Sequence, residues 1–211
     1  MSTVKTDAIE TAAGGTSVLT LGTATQTLKI LGGTPGASKV LTSDATGGAT
    51  WAAAGAGGKI LQVVTPTVKT DVTSWTSNTM VDITGMTIDI TPSLSSSRIL
   101  IQWLLSIGFP NGSGATIRLR RDTTDIFIGD AVSNHPRATT YIDGGGMQED
   151  VWPVAGMYID SPATASAITY SFQAMDSNSY TTYLNRSVTD RDFALYDGRA
   201  ASTIIAMEIG V

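Results

Sequence analysis

Hydrophobic and polar residues alternate along most of the chain after Gly58. The stretch MTIDIT places Met86, Ile88 and Ile90 on one side of an extended backbone and polar residues on the other. The stretches TIRLR and TYSFQA repeat this pattern. Because successive side chains of a β-strand point to opposite faces, a period of two predicts half-buried strands.

Two further stretches extend this prediction. STIIAMEI groups Ile205, Met207 and Ile209 on one face, with Glu208 opposite, whereas RILIQWLLSIGF is apolar on both faces. The second pattern predicts a central strand that is buried on both sides. Turn signals such as PNGSG, DSNS and YDG separate the apolar runs. We therefore predict an all-β head domain, residues 59–211, that forms an antiparallel β-sandwich of the jelly-roll type.

The first 58 residues follow a different pattern. They hold 11 of the 22 glycines, and Trp51 is their only aromatic residue. Such a segment buries too little apolar area to fold alone, so we predict a virion-attachment and shaft segment, residues 1–58, in which three copies share one apolar axis. The stretch AAAGAGG, residues 52–58, is typical of a flexible joint. The candidate attachment and shaft residues are Leu28, Ile30, Leu31, Val40, Leu41 and Trp51.

Charge is scarce in this chain. Charged residues make up 15% of it, against about 25% in typical domains. The net charge is −5, and residues 1–58 contribute none of it because three basic and three acidic residues balance there. Nucleic acid is therefore not an expected partner, since phosphate binding needs a clustered positive field. Arg118 and Arg120 alternate with Ile117 and Leu119, which predicts the solvated face of a strand.

Other classes of protein are excluded by what the sequence lacks. The chain contains no cysteine, so it has neither disulfides nor cysteine-based metal sites. Its beginning lacks the pattern of a signal peptide. No stretch approaches the roughly 18 apolar residues of a membrane span, so we expect no membrane insertion.

No catalytic motif stands out. GGTPG, residues 32–36, lacks the register of a phosphate-binding loop and fits a Pro-Gly turn. His135, the single histidine, lies in a loop-like stretch without a nucleophile and carboxylate at suitable spacing. The oxygen-rich stretches TDRD, DTTDIFIGD and IDGGG lack EF-hand spacing. We expect a non-enzymatic protein without a metal or another cofactor.

Aromatic residues in or beside polar loops are better candidates for function. Exposed Tyr and Trp rings form flat platforms for sugars, although each ring could instead belong to a core or an interface. We expect the loops at 109–115, 130–150 and 176–199 to form the distal surface. The candidate receptor-binding residues are Tyr141, Trp152, Tyr180, Tyr183, His135 and Asn178.

Several stretches carry a family resemblance. ILGGTPGASKVLTSDATGGATW, residues 30–51, resembles a segment that recurs in bacteriophage tail fibres, often just before the distal domain. GGKILQVV, SSSRILIQ, IDSPATASAITYSFQA, LNRSVTD and ASTIIAMEI resemble the C-terminal domain of fibre-like structural proteins from marine and cyanobacterial phages. This resemblance implies a homotrimer in the virion, with an N-terminal attachment region and a β-sandwich head. It brings no catalytic motif.

The sequence thus predicts a structural virion fibre protein. We expect its first 58 residues to bind a tail hub, a baseplate or the capsid, and its trimeric head to recognise a glycan or protein on the host surface. Three alternatives stay open at this point. They are a capsid head fibre or decoration protein, a glycan hydrolase, and a free, monomeric carbohydrate-binding module.

Overall fold

A computed structural model describes residues 39–43, 49–53, 59–144 and 148–210 of the chain. Within these ranges the chain forms strands, turns and loops and contains no helix, hence none that could span a bilayer. The chain divides into two units, Met1–Gly55 and Ala56–Val211. This division falls inside the AAAGAGG stretch.

The strands are short in the first unit and longer in the second. In chain order they are β1 (Lys39–Ser43), β2 (Ala49–Ala53), β3 (Ile60–Val63), β4 (Thr67–Lys69), β5 (Thr73–Thr76), β6 (Val81–Ile90), β7 (Arg98–Gly108), β8 (Ser113–Arg121), β9 (Thr124–Ile126), β10 (Thr140–Gly144), β11 (Trp152–Asp160), β12 (Ile168–Asp176), β13 (Thr181–Leu184) and β14 (Ser202–Ile209).

The described part of the first unit is one antiparallel pair of strands. Leu41 of β1 pairs with Trp51 of β2. Val40 and Leu41 are 43% and 42% exposed, because a two-stranded sheet has no second layer against which to bury them. The other shaft candidates, Leu28, Ile30 and Leu31, lie outside the described residues.

In the second unit, seven strands form sheet I. Its central strand is β7, in which Trp103 pairs with Ile204 of β14 on one edge and with Gly156 of β11 on the other. Strand β13 pairs with the same edge of β7 as β14 does, further along that strand. Strands β3 and β4 pair with the other edge of β14, and β5 pairs with the other edge of β13. Sheet I thus has four strand positions: β3–β5, β14 with β13, β7, and β11.

The remaining five strands form sheet II. Strand β8 pairs with β12 on one edge, and β9 and β10 share its other edge. Strand β6 lies beyond β12. The positions are β6, β12, β8, and β9 with β10, and all pairings in both sheets are antiparallel. When β3–β5 are counted as one position and β13 with β14 as another, successive positions along the chain alternate between the two sheets except at β8–β10, which is the strand order of a jelly roll.

The core lies between the two sheets. Trp103 of sheet I packs against Phe172 of sheet II, with 5.4 Å between ring centroids. Gly156 makes room for this indole, since a Cβ at Gly156 would lie 2.3 Å from a ring carbon of Trp103. Met86, Ile88 and Ile90 face this core, as the alternation in MTIDIT predicts. The all-β, antiparallel sandwich expected from the sequence is confirmed.

On the side that faces away from sheet II, β7 departs from expectation, whereas β14 keeps the predicted grouping of its residues. Strand β7 is central, as predicted, but Leu100 and Leu104 on its outer side stay partly exposed, so burial on both sides was wrong along much of its length. In β14, Ile204 and Glu208 face the core, whereas Met207 and its neighbours at alternate positions face outward. Among the described residues, no third layer covers sheet I.

At one end of the head, the chain leaves the joint and enters the sandwich. The amide of Gly210 donates a hydrogen bond to the carbonyl of Lys59 at 2.8 Å. The side chain of Gln62 donates to the carbonyl of Thr91 at 2.7 Å. The start of β3, the end of β14 and the β6–β7 loop therefore meet here, and we call this the Lys59 end.

Other loops meet at the opposite end of the strands. The amide of Asp176 donates to the carbonyl of Ser77 at 2.7 Å, and the amide of Ser177 donates to the carbonyl of Gly114 at 2.9 Å. We call this the loop end. Strand β7 has 11 residues and connects the two ends, which places them roughly 33 Å apart at ~3.3 Å per residue.

Candidate functional site

A cavity of about 510 Å³ opens on the outer face of sheet II, next to the loop end. Its floor is a row of three side chains from neighbouring strands, in which Thr116 pairs with Tyr141 on one edge and with Met175 on the other. They face outward because Ala115 and Ile117, on either side of Thr116, face the core. We call this cavity the Tyr141 pocket. It is lined by Thr116, His135, Pro136, Tyr141, Met175 and Ser177.

The loop between β9 and β10 supplies one wall of this pocket, with His135 and Pro136. The Arg137 side chain donates to the carbonyl of Gly129 at 2.7 Å, which closes the loop on itself. Arg118 of β8 donates to the carbonyl of Arg137 at 2.9 Å. The loop that carries His135 is therefore tied to the strand that carries Thr116.

Tyr141 belongs to the floor of the pocket and is 53% exposed. The phenol of Tyr141 lies next to Gly114 of β8, and the position of the ring depends on this glycine. A Cβ at Gly114 would be 2.8 Å from the phenol oxygen of Tyr141 and 2.9 Å from the carbonyl oxygen of Ile142. Any larger residue at 114 would displace the ring, so glycine here sets the shape of the Tyr141 pocket.

Thr116 gives the pocket an unusual polar atom. Its side chain is 1% exposed, and its hydroxyl has no hydrogen-bond partner among the described residues. Leaving a buried hydroxyl unpaired costs about 1–3 kcal/mol, so such groups in native proteins call for an explanation. A hydroxyl group of a bound molecule would satisfy it.

A buried carboxylate fixes the turn beside the pocket. Asp176 is fully buried and accepts hydrogen bonds from the hydroxyls of Ser113 and Thr182, the latter at 2.8 Å. Its other oxygen accepts from the amides of Asn178 and Tyr180, each at 2.9 Å. The turn that carries Ser177 and the two predicted residues Asn178 and Tyr180 is thereby held in one conformation.

The lining of the Tyr141 pocket suits a neutral ligand with hydroxyl groups. The Tyr141 ring, Pro136 and Met175 offer apolar surface, while Thr116, His135 and Ser177 offer hydrogen-bonding atoms. A sugar ring combines an apolar face with hydroxyl groups and matches such a lining. Among the residues that the structure describes, no carboxylate lines the pocket, and no group of three acidic or histidine side chains could hold a metal ion.

The structure divides the six receptor-binding candidates into two sets. Tyr141 and His135 meet in the pocket, and Asn178 and Tyr180 lie on the adjacent turn, where Tyr180 is 49% exposed. The remaining two belong to sheet I. Trp152 is 42% exposed and packs near Phe109, and the Arg186 guanidinium covers the Tyr183 ring at 3.8 Å from its centroid.

The loop between β13 and β14 forms a separate cluster within the region predicted to be distal. Arg191 donates to the carboxylate of Asp197 at 2.6 Å, and this hydrogen bond lowers the pKa of Asp197. Phe193 and Tyr196 stack with centroids 5.5 Å apart, and Leu195 is 79% exposed. These contacts order the loop internally and leave its apolar tip in solvent.

Sequence reasoning missed most of the pocket lining. The alternation of Arg118 and Arg120 already placed Thr116 on the same outer face, so that residue could have been found. Met175 could not, because it reaches the pocket through the β8–β12 register, which pairs residues far apart in the chain. Pro136 and Ser177 lie in loops that were predicted to be distal, but they were not among the candidate residues.

Comparisons with known proteins do not assign this chain to a family. No protein-family model matches the chain, and no curated protein matches it at a significant level.

Proposed function

We propose that this chain is a non-enzymatic structural fibre protein of a bacteriophage virion and that it acts as a homotrimer. Residues 1–58 attach to the particle and form the shaft, and the jelly-roll head, residues 59–211, projects outward. The Tyr141 pocket and the neighbouring turn at 177–180 recognise a sugar unit of a host-surface glycan. The resemblance of residues 30–51 to tail-fibre segments supports the attachment role.

One observation carries this proposal: the head has two structurally different ends. The chain enters at the Lys59 end, where Gly210 also lies, and the Tyr141 pocket adjoins the loop end, roughly 33 Å away along the strands. An anchored protein that recognises a distant surface needs this separation. A protein that is embedded in a shell along its whole length gains nothing from it.

Recognition by such a fibre works through repetition. One partly open pocket binds a sugar weakly, but three heads on a fibre and several fibres on a particle turn later contacts into intramolecular ones. Avidity then exceeds the affinity of a single site by about 10²–10⁴. We therefore expect weak binding by an isolated head and firm binding by the intact particle.

The location is tested by electron microscopy of intact particles labelled with gold-conjugated antibody against this chain. We expect label at the free tips of thin fibres on the tail. Label spread evenly over the capsid would support the decoration protein instead, and label on fibres of the capsid would support the head fibre. Release of reducing ends from purified host polysaccharide would contradict the non-enzymatic assignment.

The recognition site is tested with the full-length protein on host cells. We expect Tyr141→Ala to weaken cell binding at least about tenfold, because the ring platform of the pocket is lost. Thr116→Val, which removes the unpaired hydroxyl at similar volume, should weaken binding while leaving folding intact. Trp152→Ala is the matched control, an exposed aromatic residue on the other sheet, and should bind like the wild type. Equal binding by all four proteins would refute the pocket assignment.

A further inference from the structure

Beyond Arg98 at the start of β7, the outer face of sheet I is uncharged and largely apolar over three rows of paired residues. Val63 of β3 pairs with Met207 of β14, Met207 pairs with Leu100 of β7, and Leu100 pairs with Ile159 of β11. Residues that pair directly across strands lie on the same face. These side chains therefore form one continuous hydrophobic row over four strands.

The next two rows continue this surface. Ile205, Gln102 and Met157 form the second row, and the third contains Leu104 with Ala155 and Thr203. None of the described residues in the three rows is charged. We call these outward-facing residues of β3, β14, β7 and β11 the sheet I face.

Water reaches this face in the isolated chain. Met157 is 63% exposed, Val63 is 57% exposed and Ile159 is 48% exposed. Four strands about 4.8 Å apart and three rows about 6.6 Å apart give a flat footprint of roughly 400 Å². Single exposed apolar residues are ordinary, whereas a contiguous patch of a few hundred Å² is often functional.

The outer face of sheet II shows what a solvent-exposed face of this head looks like. There, Asp125 pairs with Arg118 at 2.8 Å, and the side chain of Gln173 donates to Asp82 at 2.9 Å. Charged and polar pairs of this kind are absent from the described rows of the sheet I face. The two faces of one sandwich therefore have different environments.

The partner that fits the sheet I face best is a second copy of the same chain. The three uncharged rows offer no charged group that would select a charged partner, and another copy presents rows of the same polarity. The chain also enters the head on this sheet, because Ile60 and Val63 of β3 follow the joint directly. Copies joined through residues 1–58 are held within reach of each other, since the five residues 54–58 span at most about 18 Å.

We infer that the heads associate with one another through the sheet I face, so that the head contributes to the oligomer in its own right. This inference rests on the homotrimer of the proposed function and assigns the surface that forms it. A standard interface takes about 800 Å² from each partner. The sheet I face supplies roughly half of that in each copy, so it contributes to the oligomer without accounting for all of it.

The first experiment places charges on this face in the full-length protein. Met157→Lys combined with Ile159→Lys is compared with Thr87→Lys, an exposed position on the outer face of sheet II. By sedimentation velocity we expect wild type and Thr87→Lys to be trimers. The double variant should dissociate at a protein concentration at least about tenfold higher than the wild type does.

The second experiment uses the absence of cysteine from the chain. Met157→Cys and Thr87→Cys each create one thiol, and the rate of alkylation by a maleimide reports its exposure. Assembly lowers the fraction of dissociated protein, so the alkylation rate at position 157 should fall with that fraction. In the assembled protein we expect it to be at least about tenfold below the rate at position 87. If the double lysine variant fails to fold, this alkylation measurement still tests whether the heads associate through the sheet I face.

The outcomes separate the two proposals. If the wild type is a trimer and Met157→Cys reacts as fast as Thr87→Cys, the inference is overturned and the homotrimer stands. A wild-type protein that sediments as a monomer overturns both the inference and the homotrimer. Receptor recognition is measured separately, through Tyr141→Ala, and survives either result.

Discussion

Glu208 shows how one buried charged residue is accommodated in an apolar strand. Its side chain faces the core and is fully buried. Burial raises the pKa of Glu208, but hydrogen bonds from Ser93 and Gln62, at 2.6 Å each from the side chains, outweigh it and lower the pKa to about 2. The carboxylate thus ties β14 to β3 and to the β6–β7 loop at the Lys59 end.

Replacing this carboxylate should change how the head responds to acid. The folded pKa of about 2 lies below the ordinary value of 4.5, so the unfolded chain takes up the proton first. The stabilisation by Glu208 is complete above the ordinary value and is lost as the pH falls toward the folded value. We expect Glu208→Gln to be less stable at neutral pH by about 1–3 kcal/mol, with a smaller further loss in acid.

Urea unfolding at neutral pH and at about pH 3 measures this difference. Asp89→Asn is a suitable control, since Asp89 is exposed and accepts a hydrogen bond from Thr169 on the outer face of sheet II. If Glu208→Gln lost as much stability in acid as the wild type, another group would be responsible for the acid sensitivity.

At the scale of single elements, alternation in the sequence identified strands better than it identified their buried sides. For β6, the apolar side Met86, Ile88 and Ile90 is the core side. For β14, the side with Ile205 and Met207 is the outer one, and the core side includes Glu208. A period of two groups residues by face, but which face meets sheet II depends on register with partners elsewhere in the chain.

The same limit applies to the pocket and to the edge of sheet I. Tyr141 and His135 could be predicted because aromatic and polar residues in loops stand out in the sequence. Their neighbour Met175 reaches them only through long-range pairing of β8 with β12. The division of one sheet position into β3, β4 and β5 likewise has no periodic signal, because strands of three or four residues are too short to show one.

The turn between β12 and β13 yields a prediction at this scale. Asp176→Ala removes the acceptor for four hydrogen-bond donors in and around the turn, so we expect it to destabilise the head by about 3 kcal/mol. Asp176→Asn keeps one oxygen that can accept hydrogen bonds, so its free energy of unfolding should lie between those of Asp176→Ala and the wild type. Chemical denaturation gives these values.

Asp82→Asn provides the matched surface comparison, since Asp82 is exposed on sheet II, and should change the free energy of unfolding by no more than about 0.5 kcal/mol. Should Asp176→Ala cost no more than this surface substitution, the buried carboxylate would not be what orders the turn. Host-cell binding by Asp176→Asn then shows whether the turn and the Tyr141 pocket act together.

At the scale of the whole molecule, the head is asymmetric in two directions. Along the strands, the Lys59 end receives the chain and the loop end bears the Tyr141 pocket. Across the sandwich, sheet II presents charged and polar pairs and sheet I presents the apolar sheet I face.

Association of copies should make the thermal stability depend on concentration. If folding and assembly are linked, the midpoint of thermal unfolding rises with protein concentration, because mass action favours the assembled state. We expect this rise for the wild type and for Thr87→Lys, and a lower midpoint at each concentration for Met157→Lys combined with Ile159→Lys. Scanning calorimetry over about a hundredfold range of concentration would detect it. A flat wild-type curve would count against linked assembly.

The separation of the Lys59 end from the loop end also has a mechanical consequence. A pull between an anchored joint and a ligand held near Tyr141 acts along the strand axes, whereas the hydrogen bonds between antiparallel strands run perpendicular to them. Such a force shears many bonds together instead of unzipping them one after another. Under the proposed function, the jelly roll is thus oriented to resist stretching between the attached end of the head and the bound ligand.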